Sequence, residues 1–139
     1  MASIKYEDIV VGDRLPPLVL PPLDRRTLAL FAGASGDHHP IHIDLDYARK
    51  AGMPDVFAHG MLGMAWLGRM LTSSVPRARL RSFDVRFAGI THLGHALTCS
   101  AIVVDKQETE GEKRVHLELS TTNQHGETKL AGVAVLALA

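Results

Sequence analysis

Gly60-Met61-Leu62-Gly63-Met64-Ala65-Trp66-Leu67-Gly68-Arg69-Met70-Leu71 is apolar around nearly its whole circumference when wound as a helix, with Arg69 its lone charge. A surface helix shows one apolar stripe, whereas a helix that is apolar on every side is expected at the centre of a fold. Gly63 and Gly68 each disfavour helix by about 1 kcal/mol relative to alanine. In exchange they permit close packing against a sheet. Thr72, Ser73, Ser74 and Pro76 are expected to end the run.

Downstream the hydrophobic period changes to two. Phe83, Val85 and Phe87 alternate with Asp84 and Arg86, and Leu97 to Val104 is rich in β-formers. Val115, Leu117, Leu119 and Thr121 alternate with Arg114, His116, Glu118 and Ser120, and Leu130 to Leu138 closes the chain. These are four strands. Gly94, Gly111 and the cluster Asn123-Gln124-His125-Gly126 mark turns, read as short enough for antiparallel neighbours. The polar stretch Asp105 to Arg114 reads as a solvated hairpin turn. A long sheet after one buried helix suggests that the sheet wraps around that helix, an α+β architecture.

Upstream, the prolines that bracket Leu18-Val19-Leu20 suit an edge strand and no helix. Asp24 is placed to cap a helix carrying Leu28, Phe31 and Ala32, ended by Gly33 and Gly36. Asp44 or Asp46 caps a shorter helix through Tyr47, Ala48 and Ala51, stopped by Gly52 and Pro54.

Chemistry concentrates between these helices. Ser35-Gly36-Asp37-His38-His39-Pro40-Ile41-His42-Ile43-Asp44 sets a carboxylate and an imidazole five residues apart across a proline-stiffened loop. His59-Gly60-Met61 then heads the apolar helix, where backbone N–H groups lack intrahelical acceptors. Addition of water to a carbon–carbon double bond conjugated to a thioester needs a base for water and an acid for the neighbouring carbon. It also needs donors for the charge that builds on the thioester oxygen. Asp37 and His42 can share the proton transfers, and the helix start can supply the donors, with Gly60 letting substrate approach the backbone.

At these residues the chain resembles the MaoC-like or (R)-specific enoyl-CoA hydratase family of hot-dog folds, which also includes (3R)-hydroxyacyl-thioester dehydratases. The family pattern runs roughly Ser-Gly-Asp-x-Asn-Pro-hydrophobic-His-x-Asp, followed by a His-Gly-Met segment. Asp37, Pro40, His42, Asp44 and Gly60 fall on it. The resemblance implies one hot-dog domain over 1–139, an antiparallel sheet wrapped around the central helix. It implies reversible hydration of trans-2-enoyl-CoA or acyl-carrier-protein thioesters to (3R)-hydroxyacyl thioesters. Asp37 and His42 would be catalytic, and the Gly60 N–H would be the oxyanion donor, flanked by His59 and Met61 in the substrate-binding segment. His39 and Pro40 would orient the loop. His39 departs from the usual Asn and must substitute through a ring nitrogen. The family commonly forms dimers, so a homodimer or higher homo-oligomer is expected, and a single curled sheet leaves edges and a face to cover.

Composition narrows the rest. At 139 residues the chain suits one domain with a real core and is short for two. Fifteen acidic and fifteen basic residues cancel, so no long-range field favours nucleic acid or an anionic membrane. Arg77, Arg79, Arg81 and Arg86 form a local patch that either meets coenzyme A phosphates or stays solvated. Cys99 is the single cysteine, which excludes an intrachain disulfide and a multi-Cys zinc site and reads as core. Residues 1–13 mix Lys5, Glu7, Asp8 and Asp13 among apolar residues without a signal-peptide core, and no stretch is long enough for a membrane span. A cytoplasmic protein is expected.

Alternatives remain at several residues. His38, His39, His42 and Asp44, with His92 and His95, invite a metal reading, against which no His-Glu-x-x-His helix or Cys pair appears. No metal or other cofactor is expected. Met61, Met64 and Met70 either line an acyl tunnel or fill the core. His59 either locks the Gly60 peptide or is simply a capping-region histidine. At the level of function, a hot-dog thioesterase or a non-catalytic acyl-thioester-binding subunit of a heteromeric dehydratase stand beside the hydratase.

Overall fold

The computed structural model describes residues 4–139; residues 1–3, the head of the segment read above for a leader, lie outside them. Along the chain come strand β1 (Leu18–Val19), helices α1 (Arg25–Ser35), α2 (Leu45–Lys50) and α3 (Gly60–Ser74), then strands β2 (Leu80–Phe87), β3 (Thr98–Thr109), β4 (Glu112–Thr122) and β5 (Thr128–Leu138). The strands form one antiparallel sheet in the order β1-β3-β4-β5-β2. It curls around α3 in the hot-dog arrangement.

The alternation read from sequence decides which face of the sheet meets the helix. Val115, Leu117, Leu119 and Thr121 of β4 are buried, while Glu118 between them is exposed. With Ala101 and Val103 of β3 and Leu130, Ala134 and Leu136 of β5, they enclose Leu67, Met70 and Leu71 of α3. Of the glycines of α3, Gly63 works as expected, since a Cβ there would stand 2.6 Å from Leu130 Cδ1, whereas one on Gly68 would make only an ordinary contact with the Phe83 ring at 3.4 Å. Cys99 is fully buried in this core, and burial pushes its thiol pKa up. A second, smaller core sits on the other side of α3, where Leu28 of α1 and Ala48 of α2 pack with Val56, Ala58 and Leu62.

Local signals place the helix ends. Asp24 accepts from the Thr27 N–H at 2.8 Å, and Gly36 closes α1 in a left-handed conformation (φ 77°), donating its N–H to Ala32 O. Gly33 stays inside the helix. Asp44, rather than Asp46, caps α2 through the N–H groups of Asp46 and Tyr47. The α3 helix runs on to Ser74, with Ser73 Oγ bonding back to the Arg69 carbonyl at 2.7 Å, an arrangement that a helix tolerates.

Three expectations need correction. First, α3 is not enclosed on all sides: Met61 is 56% exposed, and Met61, Met64, Ala65 and Gly68 border an open apolar groove. The sheet covers one flank and the α1–α2 layer another, which leaves a third. Met70, by contrast, is plain core. Second, the Asp105–Arg114 stretch is mostly strand. The turn is only Glu110-Gly111, both at positive φ (52° and 74°), and pairs such as Glu108 opposite Lys113 carry the ladder up to it. Third, Gly94 does not join neighbouring strands. β2 pairs with β5, and the segment after it crosses to β3, held by Ala88 and Gly89 N–H bonds to Lys129 O.

The tightest backbone approach in the sheet is at Gly132 of β5, opposite Val85, where a Cβ would stand 2.1 Å from Asp84 O. Backbone cannot step aside as the end of Leu130 can. Gly132→Ala is therefore expected to cost about 3 kcal/mol, the upper part of the usual overpacking range. Gly63→Ala should change stability by less than about 1 kcal/mol, because the gain in helix propensity offsets a shift of Leu130. Thermal denaturation of the two variants followed by circular dichroism checks the order.

Candidate active site

The loop between α1 and α2 is built from side chains that take up the backbone N–H groups just ahead of them. Ser35 Oγ accepts from Asp37 N at 3.1 Å, and Asp37 Oδ1 accepts from His39 N at 3.2 Å. His39 Nδ1 accepts from Ile41 N at 3.1 Å, and Asp44 Oδ1 accepts from Asp46 N at 2.9 Å. Pro40 begins the short 3-10 turn Pro40–His42, where its fixed φ suits the first position. The chain is thereby held without regular structure, with Asp37 at its exposed start and His42 half-buried at its end.

His39 does through Nδ1 what an asparagine side-chain oxygen does in an Asx turn, accepting from the N–H two residues on. This places its ring hydrogen on Nε2. The ring rests edge-on against Tyr47 at 5.6 Å.

His42 donates Nδ1–H to the Phe57 carbonyl at 2.8 Å, so its lone pair lies on Nε2. Phe57 belongs to the segment leading into α3, and that segment is tied to α1 by the fork of Arg25 on Asp55 (2.9 and 2.6 Å). His59 is 2% exposed and stacks on His42, with ring centroids 4.0 Å apart and planes 25° apart. Its side chain does not cap α3. Instead Nε2–H donates to the Asp37 carbonyl at 3.0 Å.

Gly60 opens α3, so its N–H has no acceptor within the helix. A Cβ there would meet the Phe87 ring at 3.2 Å. On one side of Gly60 lies a cavity of about 160 Å³, walled in part by Phe57, Trp66, Phe87 and Thr91. The open groove along α3, about 520 Å³, runs past Met61, Met64 and Phe83 and reaches Asp37.

The electrostatics leave both titratable groups unprotonated at neutral pH. The His39 N–H bond holds the Asp37 carboxyl below its usual value, outweighing the desolvation that would raise it. Burial, with a contribution from His59, lowers His42 below the ordinary histidine value and outweighs the Phe57 carbonyl, which favours the cation.

Asp37, His42 and His59 each bring a ligand-type atom within 4.8 Å of the others, a spacing that would suit a metal ion. The stacking of the two rings works against it. Imidazole lone pairs lie in the ring plane, so near-parallel rings 4.0 Å apart point theirs side by side instead of converging on one ion.

The structure thus brings together Asp37, His42, His59 and Gly60, with Met61 at the groove mouth and His39 and Pro40 shaping the loop. It leaves out the other metal candidates. His38 turns to Gly36 O, Asp44 is a helix cap, and His95 Nδ1 accepts from His92 N in the crossover loop. Of the arginines, Arg81 is engaged by Glu112 at 2.6 Å. Sequence reading missed Phe57 and Phe31. Phe57 acts through its carbonyl, which leaves no trace in residue type. Phe31, read as helix core, also meets His59 edge-on at 4.9 Å.

Comparison with known proteins places the fold within a family. A family model described as the MaoC like domain matches residues 16–125. The mitochondrial 3-hydroxyacyl-acyl-carrier-protein dehydratase of Arabidopsis thaliana is 27% identical over 97 residues, 70% of this chain and 58% of the plant protein. The (R)-specific enoyl-CoA hydratase of Rhodospirillum rubrum is 27% identical over 100 residues, 70% of this chain and 68% of that protein. Among solved structures, an unliganded R-hydratase from Pseudomonas aeruginosa superposes with a TM-score of 0.83 at 28% identity, covering 98% of this chain and 86% of the other. The chain spans little more than half of the plant relative, yet the family model takes in residues 16–125, the Asp37–His42 loop and α3 included, and the protein belongs to the MaoC-like domain family.

Proposed function

We propose that residues 1–139 act as one hot-dog domain that reversibly hydrates trans-2-enoyl-CoA or acyl-carrier-protein thioesters to (3R)-hydroxyacyl thioesters. The observation that carries this reading is the meeting of an ionised Asp37 with the free Nε2 of His42 beside the unengaged start of α3. The R-specific hydratase and the dehydratase among its relatives support the substrate class and the stereochemistry.

With both groups unprotonated, water itself supplies the proton that moves. One of the pair takes a proton from water as the hydroxyl adds to C3, and the electrons of the double bond shift toward the thioester oxygen. The Gly60 N–H, with His59 and Met61 on either side of it in the chain, stabilises that enolate oxygen. The same proton then passes to C2, and the catalyst returns to its starting form. The second group accepts the other hydrogen of the water and holds it in place. In the dehydration direction the same atoms carry the proton from C2 to the leaving hydroxyl. The chemistry of these steps needs no metal, redox cofactor or covalent intermediate.

The acyl chain is assigned to the apolar groove along α3. A homodimer is part of the proposal: β2 pairs on one side only, and its free edge lies beside the open flank of α3, where Phe87 is 53% exposed. The described residues hold no helix long and apolar enough to cross a membrane, and a cytoplasmic location is proposed with the buried, unpaired Cys99 in its support.

With crotonyl-CoA and a longer enoyl-CoA, loss of the conjugated thioester absorbance is expected, with a (3R)-hydroxyacyl product on chiral analysis. Asp37→Asn and His42→Ala should each lower kcat by about 10²–10⁴, the usual range for a proton-transfer group. Release of free thiol in place of hydration, or variants as active as the parent, would overturn the reading.

The acid dependence follows from the two lowered pKa values. A base whose pKa is lowered stays unprotonated further into acid, so kcat/KM should be level through neutral pH. It should fall only below the ordinary histidine value of 6.5, as His42 takes up a proton. A profile that is already falling at pH 7.5 would contradict the assignment.

His39 gives a third test. His39→Asn preserves the acceptor for Ile41 N and is expected to keep activity within about threefold, a change of under 1 kcal/mol. His39→Ala leaves that N–H uncapped and should cost about 1 kcal/mol of stability, as other lost caps do. Calorimetry and steady-state rates on the pair measure both effects.

A further inference from the structure

Asp37 and His42 come from one irregular loop, and among the described residues no direct hydrogen bond joins their side chains. Something outside the loop must fix one against the other. We propose that His59 is that positioning residue: its Nε2–H holds the Asp37 carbonyl while its ring face holds the His42 ring. What the two held groups do to substrate rests on the hydratase reading; the clamp itself is a matter of geometry.

Three observations point to it. A residue at the head of a helix ordinarily turns its side chain onto the free N–H groups of the first turn. His59 holds that position and makes no such bond. It reaches back to Asp37 instead, and the amides at the start of α3 stay available to a ligand. A serine or aspartate here would compete with the substrate oxygen for those amides.

Second, His59 is buried to within 2% of full enclosure, and its Nδ1 has no hydrogen-bond partner among the described residues. A buried polar atom without a partner is destabilising, so a phenyl ring in the same space would remove that cost while giving up the bond to the Asp37 carbonyl. Packing therefore does not require an imidazole. The bond from Nε2–H to the Asp37 carbonyl does.

Third, one ring touches both residues that carry the catalytic groups. It stacks on His42 at 4.0 Å, it bonds to the Asp37 backbone, and Phe31 braces its edge at 4.9 Å. Because residues 57–60 also supply the Phe57 carbonyl and the Gly60 N–H, a short stretch ahead of α3 sets three of the distances that the chemistry depends on.

Two variants separate the halves of the clamp. His59→Phe keeps the stacking face and loses the donor, whereas His59→Gln brings back an N–H at the end of the side chain. His59→Phe, in which removal of the unpaired Nδ1 offsets loss of the Nε2–H bond, is expected to melt close to the parent and to lose about 10²-fold in kcat, the scale of a misplacement near 1 Å. Its KM should change by less than about threefold, since no binding contact is removed. His59→Gln should recover most of the loss in kcat. The ring resonances of His42 supply a readout that needs no turnover. The titratable groups facing His42 are Asp37, His39 and His59, of which Asp37 favours the imidazolium and the two histidines oppose it. Without His59 the His42 titration should move to higher pH, and the acid limb of kcat/KM should move with it. A His59→Phe protein with parental kcat and an unmoved His42 titration would overturn the proposal. Parent protein that leaves enoyl thioesters untouched while the His42 titration shifts as expected would overturn the hydratase reading and leave the clamp standing.

Discussion

The close approach of α3 to the strands at its back governs the rest of the molecule. Gly63 lets Leu130 come against the helix backbone. Buried apolar area there is worth about 25 cal/mol per Å² removed from water, the main favourable term available to a domain of this size. Once α3 is seated, the position of its first residue is fixed, and so is the direction in which its free N–H groups point. The three residues before it then have little freedom. Phe57 meets the crossover loop at His92, Ala58 donates to Thr91 O, and His59 turns inward. The chemical site is the local consequence of a packing contact between a helix and a sheet.

Much of the fold was legible because the determining signals are local or periodic. The four long strands, the Asp24 cap, the glycine stop after Ser35 and the apolar run of α3 can each be read from a few neighbouring residues. What escaped were choices made by distant partners. Nothing in residues 80–87 says that β2 will pair with β5 at the far edge and not with β3, since both pairings bury the same face. The ladder through Glu108 and Lys113 was hidden because its charges resemble a solvated turn until the opposite strand supplies their partners. The open flank of α3 was hidden for a related reason: an all-round apolar helix signals burial, but not whether the covering surface belongs to the same chain.

The site divides in the same way. Asp37, His42 and Gly60 were visible as residue types in a pattern, and the way the loop folds follows from short side chains bonding just ahead of themselves. That His39 would substitute through a ring nitrogen was legible as well; that the nitrogen is Nδ1 and its partner the Ile41 N–H depends on how the loop folds. Phe57 was beyond reach, because a carbonyl contributes the same atom whatever side chain it carries. The protonation states likewise depend on burial and on the bond from His39 N–H, neither of which sequence states.

The order of strands in the sheet has a consequence for how the protein assembles. β3, β4 and β5 follow one another as a meander joined by short turns, so their contacts close small loops and carry little entropic cost. β1 and β2 flank this meander on opposite sides and must be brought in from earlier parts of the chain. Such long-range closures are slow and come late. The meander is therefore the natural folding nucleus, with α3 and the two outer strands docking on it afterwards. The loop from Asp37 to His42 depends on that docking for its hold on residues 57–59, so catalytic competence arrives at the final step of folding. By the same logic it is the first property lost when the molecule opens locally, before the sheet itself gives way.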